Sequence, residues 1–124
     1  MISLKSQKFL LAASSVFGFL GVALGAFGAH VLKSNLTPDM LIIFEKGVFY
    51  QLIHSSVSLA ITLKGNEKYY TSVLFFLTGI LLFSFSLYLY SVTSLKFFAM
   101  ITPFGGVAFL TGWLLLAVKS FREA

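Results

Sequence analysis

Few side chains in this chain are suited to chemistry. There are two histidines, His30 and His54, and four acids, Asp39, Glu45, Glu67 and Glu123. Acid–base catalysis by paired carboxylates needs two acids held together, and these four are dispersed. A serine nucleophile needs a histidine that an acid orients; no aspartate stands where it would do so, and no Gly-x-Ser-x-Gly elbow occurs. Two histidines and one nearby acid are a thin set for a metal centre. The chain has no cysteine, which removes thiolate metal sites, disulfides and a thiol nucleophile. The glycines from Gly21 to Gly28 follow no strand, so they make no phosphate or dinucleotide loop. The residues therefore read as non-catalytic, with no metal and no cofactor.

One polar stripe remains. Gly47, Gln51, His54, Ser55, Ser58 and Thr62 fall within an arc of about 100° on a helix. His54 lies about 13 Å along that helix from Glu45, which puts it near mid-membrane if the helix crosses a bilayer. An ionisable residue at that depth points to function. A neutral histidine hydrogen-bonded to a neighbouring helix fits the same pattern, and both readings stand. Glu45 faces the opposite side of the helix, so it forms no site with His54.

The elements that position this stripe follow from composition. The chain is 58% hydrophobic and 10% charged, where a soluble domain carries about 25% charged residues. Its apolar excess must face lipid. Four apolar stretches, 9–29, 47–63, 69–92 and 97–118, approach the roughly 20 residues that span a hydrocarbon core. Backbone groups in lipid must satisfy one another, which selects helices. The expected fold is all-α: one domain, 1–124, an integral membrane bundle of four transmembrane helices.

Thr37 reads as an N-cap, with Pro38 at the first helical position and Asp39 in the first turn. The second helix then begins before its apolar stretch. Pro103 either starts the last helix or interrupts a longer one from Phe97, and the longer helix matches the bilayer better. Lys5 and Lys8 ahead of an apolar run resemble a signal peptide, but the run exceeds the roughly 7–15 residues of a signal core, so it reads as a retained span. With four spans, Lys5, Lys8, Lys64, Lys68, Lys119 and Arg122 share one side, and Lys33, Lys46 and Lys96 the other. The positive-inside rule places both termini in the cytoplasm. The net charge of +5 is thus an orientation signal, with no basic stripe for nucleic acid.

Gly18, Gly21, Gly25 and Gly28 lie within about 80° of arc on the first helix. Gly105, Ala108 and Gly112 make a similar stripe on the fourth. Small residues let helices approach closely in lipid. The seam lies within one chain, which a four-helix unit requires first, or between chains. The expected partners are the lipid bilayer and, through such seams, a second copy or another membrane protein. Trp113 and the many Phe and Tyr residues read as lipid-facing or interfacial aromatics.

Four pieces of sequence form a pattern: Gly25-Ala26-Phe27-Gly28-Ala29-His30, Tyr50-Gln51-x-x-His54, Leu82-Phe83-Ser84-x-Ser86-Leu87-Tyr88, and Thr102-Pro103-x-Gly105-Gly106 with Phe109-Leu110-x-Gly112-Trp113. In this order and spacing the chain resembles the domain of unknown function 423 family of small membrane proteins, with animal relatives in the transmembrane protein 256 family. The resemblance covers nearly the whole chain. It implies a four-span protein of the bacterial inner membrane and implies no activity. The four pieces sit at helix ends that share one side of the membrane. His30, Gln51, His54, Ser84, Ser86, Tyr88 and Thr102 are therefore the candidate polar site.

Three functions compete. A non-enzymatic scaffold or accessory protein rests on the packing stripes and the missing catalytic sets. A small transporter or channel rests on the polar face around His54. A lipid or quinone binder rests on the polar cluster.

Overall fold

Residues that start or stop a helical ladder set the boundaries. A computed structural model describes residues 3–122, so Glu123 lies outside the described residues. Among the described residues there are four long helices and no strand. Helix α1 comprises Ser3–Ala23, a π-helical segment Leu24–Gly28 and a last turn Ala29–Leu32. Helix α2 is Pro38–Lys64. Helix α3 opens with a 3-10 turn, Glu67–Tyr69, and continues through Tyr70–Gly79, a second π-helical segment Ile80–Ser84 and Phe85–Thr93. Helix α4 is Lys96–Arg122.

The Thr37 side chain accepts a hydrogen bond from the Met40 N–H at 3.2 Å, and Pro38 sits at the helix start. This satisfies one of the donors a helix N-terminus leaves open. Gly65 ends α2 at φ +82°, in the left-handed region that glycine adopts without steric cost. Helix α4 runs without a break through Pro103. A proline there removes one ladder donor, so the Ala99 carbonyl loses its usual partner.

Among the described residues, three helices are long and apolar enough to cross a membrane: Lys5–Leu32, Glu67–Thr93 and Lys96–Arg122. Helix α2 is as long as α4, 27 residues, but carries Asp39, Glu45 and Lys46 in its first turns. Its Gln51, His54, Ser55, Ser58 and Thr62 are buried against its neighbours.

Glycines set the close approaches. A methyl group on Gly21 would lie 2.7 Å from Leu52, one on Gly25 2.9 Å from Val48, and one on Gly28 3.3 Å from Phe44. The partner number falls as the α1 number rises, so α1 and α2 are antiparallel. Gly18 is looser, 3.8 Å from the Ser55 hydroxyl. Gly79 packs on Phe109, Gly105 on the backbone of Leu82 and Phe83, and Gly112 on Phe76, which makes α3 and α4 antiparallel too. Gly47 of α2 faces Tyr88 and the Ser84 carbonyl of α3. The main apolar core gathers Leu10, Tyr70, Val73, Phe76, Leu77, Ile80 and Phe109, and a second cluster joins Phe44, Val48 and Tyr88.

Candidate functional site

Gln51 is fully buried and ties three helices together. Its Nε2 donates to the Phe17 carbonyl of α1 at 2.8 Å, and its Oε1 accepts from the Tyr88 hydroxyl of α3 at 2.6 Å. A carboxamide is the side-chain group that both donates and accepts at this reach. Tyr88 is in turn fixed by packing, with its ring centroid 4.9 Å from that of Phe44.

One turn along α2, both ring nitrogens of His54 are engaged. Nδ1 lies 2.8 Å from the Tyr50 carbonyl, and the Trp113 indole N–H of α4 donates to Nε2 at 3.0 Å. An indole N–H only donates and a carbonyl only accepts. The arrangement that satisfies both is the neutral ring with its proton on Nδ1. Phe109 stacks on the imidazole at a centroid distance of 3.7 Å and 10° between planes. A proton added at Nε2 would have to displace Trp113. Imidazole 15N shifts should therefore report a protonated Nδ1 and an unprotonated Nε2 at neutral pH; the opposite tautomer, or a cation, would contradict this geometry.

Ser86 and Thr102 link α3 to α4, with hydroxyl oxygens 2.6 Å apart. Ser86 also donates to the Phe83 carbonyl at 2.9 Å and Thr102 to the Phe98 carbonyl at 3.4 Å, so either hydroxyl can be the donor in the link between them. The Ser84 hydroxyl is buried with no hydrogen-bond partner, as are those of Ser14, Ser58 and Ser72. His30 is exposed at the end of α1 and bonds to none of the other candidates. The seven candidate residues thus divide into a Gln51 and Tyr88 pair, a Ser86 and Thr102 pair, an unpaired Ser84, His54 with a partner from outside the set, and a detached His30.

Trp113 is the residue that sequence reasoning placed elsewhere. It is 42% exposed, so part of the ring does face outward, but its N–H is aimed inward at His54. The usable signal was the indole itself, which seeks an acceptor when it lies within the apolar layer. Its acceptor stands 59 residues away, and only the antiparallel register of the helices brings the two together.

A lateral groove of about 490 Å³ opens between α2 and α4 beside this pair, lined by Tyr50, His54, Phe83, Pro103, Phe109 and Trp113 among others. Its walls combine aromatic rings with Pro103, Gly106, Val107 and Leu110. No group of three or more His, Cys, Asp or Glu side chains able to hold a metal occurs among the described residues.

The family model described as "Protein of unknown function (DUF423)" matches residues 24–106. The chain is 36% identical over 121 residues to the UPF0382 inner membrane protein YgdD of Escherichia coli, covering 94% of this chain and 92% of that one. It is 40% identical over 123 residues to a UPF0382 membrane protein of Haemophilus influenzae, covering 97% and 98%. It is 35% identical over 121 residues to the UPF0382 membrane protein YwdK of Bacillus subtilis, covering 94% and 98%. No solved structure matches the chain. The apolar helices and these full-length relatives agree on a bacterial membrane protein, and the chain belongs to the DUF423 family, proteins of unknown function.

Proposed function

We propose that this protein is a non-enzymatic scaffold or accessory subunit of the inner membrane, built on four spans with both termini in the cytoplasm. The carrying observation is that the two most chemical side chains of α2 are committed to fastening helices. Gln51 is bonded on both ends of its amide, and His54 on both nitrogens. Helix α2 acts as the fourth span in this reading. At 1.5 Å per residue its 27 residues reach about 40 Å, so its charged first turns stand in the headgroup layer while its polar stripe packs inward. The lysines and arginine at the two termini and the connection between α2 and α3 favour the cytoplasm for that side.

Crosslinking in intact membranes tests the role. A scaffold gives a stable heterologous partner, whereas crosslinks only between copies of this chain count against it. Vesicles containing the purified protein should pass no solute or proton across a broad panel; a flux lost in His54→Ala would replace this reading with a transporter.

The aromatic groove beside His54 favours a second reading, a lipid or quinone binder. Its walls suit a flat apolar ring. A co-purifying quinone in the groove would support it, and a groove holding only exchangeable acyl chains would not.

A further inference from the structure

A cavity of about 370 Å³ lies between the first turns of α1 and α3. Its lining combines opposite charges with apolar walls. Lys5 and Glu67 carry the charges, Ser6 and Thr71 the hydroxyls, and Phe9 and Leu74 the apolar side. One carboxylate oxygen of Glu67, Oε2, is buried and has no hydrogen-bond partner. No ion pair joins Glu67 to Lys5 across the cavity. A buried carboxylate oxygen without a donor is costly, and the cavity beside it has room for one.

The depth of the cavity narrows the class of donor. Lys5 lies in the first turn of α1 and Glu67 opens α3, and the apolar stretches counted from these residues, Lys5–Leu32 and Glu67–Thr93, hold 28 and 27 residues. Each is about 40 Å long, against a hydrocarbon core of about 30 Å. Their ends therefore stand among lipid headgroups. Phe9 is 64% and Leu74 50% exposed, so the apolar walls continue outward toward the acyl region.

The geometry points to a bound phospholipid with a primary ammonium headgroup. Its ammonium donates to Glu67 Oε2, its phosphate faces the Lys5 ammonium and the hydroxyls of Ser6 and Thr71, and an acyl chain runs along Phe9 and Leu74. A quaternary ammonium has no N–H to donate to Glu67. An anionic headgroup satisfies Lys5 but sets a net negative charge beside the carboxylate. The site is independent of the role proposed above, since it shares no residue with the α2 stripe or the groove beside His54.

Native mass spectrometry of the full chain in detergent tests this, with phosphatidylethanolamine, phosphatidylcholine and phosphatidylglycerol of identical acyl chains. The wild type should retain the ethanolamine lipid about tenfold more strongly than the choline lipid, the size expected of one charge-assisted hydrogen bond. Glu67→Gln should erase that preference. Lys5→Gln should weaken all three lipids. Lys8→Gln, an equal charge change at an exposed residue that does not line the cavity, should leave the ranking intact. Free phosphoethanolamine should not displace the lipid, and displacement would assign the site to a soluble ligand instead. Equal retention of the three lipids by the wild type, a preference for the glycerol lipid, or an unchanged preference in Glu67→Gln would each overturn the proposal. The wild-type ranking and Lys5→Gln decide the matter even if Glu67→Gln does not fold.

Discussion

Gly105→Ala should destabilise the protein by about 3 kcal/mol, near the top of the usual range for overpacking a tight core. The added methyl would meet backbone atoms of α3, the Phe83 nitrogen and, at 2.7 Å, the Leu82 carbonyl carbon and the Phe83 Cα. A side chain can rotate out of the way, but backbone can move only by parting the helices. The adjacent glycine is the internal control. A methyl on Gly106 would sit 3.9 Å from the Phe83 ring, an ordinary contact. Gly106→Ala should be neutral or gain up to about 1 kcal/mol from helix propensity. Two neighbouring glycines, given the same substitution, should thus differ by about 3 kcal/mol or more in a denaturant titration from mixed micelles. Equal effects would mean that α3 and α4 do not meet at Gly105.

Gln51→Leu should cost about 2 kcal/mol by the same titration. It removes two interhelical hydrogen bonds and leaves the buried Tyr88 hydroxyl without its acceptor. Tyr88→Phe removes one of those bonds together with its donor, so it should cost less, about 1 kcal/mol. Once Tyr88 is Phe, Gln51→Leu should be milder, with a coupling of about 1 kcal/mol between the sites, within the range seen for hydrogen bonds between membrane helices. Strict additivity would show that the short contact between the two side chains contributes nothing.

The parts of this structure that sequence made legible are the local ones. The start of α2 was readable because Thr37, Pro38 and Asp39 act within one turn. The glycine stripe on α1 was readable because its period is that of the helix. That Gln51 and Tyr88 sit near one another was anticipated from helix ends sharing a side. That they bond directly, and that His54 is held by Trp113, depends on the register between helices far apart in sequence. Periodicity carries no such information. The two π-helical segments were also invisible: nothing in Leu24–Gly28 or Ile80–Ser84 demands a wider turn. Composition does separate α2 from the other helices: Gln51, His54 and the serines lower the hydropathy of its apolar stretch, and among the described residues it is not one of the three that qualify as spans by length and composition.

Those wider turns bear on how relatives can be compared. Both π segments flank the same part of α2, with Gly28 against Phe44, Gly25 against Val48, and the Ser84 carbonyl against Gly47. A π turn amounts to one extra residue in an α-helix, and one residue is about 100° of rotation. The stretch of α3 beyond Ser84 is therefore turned relative to the stretch before Ile80, and that turn aims Tyr88 at Gln51. A gap introduced elsewhere along α3 would leave the helix equally long and point a different residue at the amide. Between two chains that differ by one residue within this helix, homologous position and equivalent position part company at these five residues.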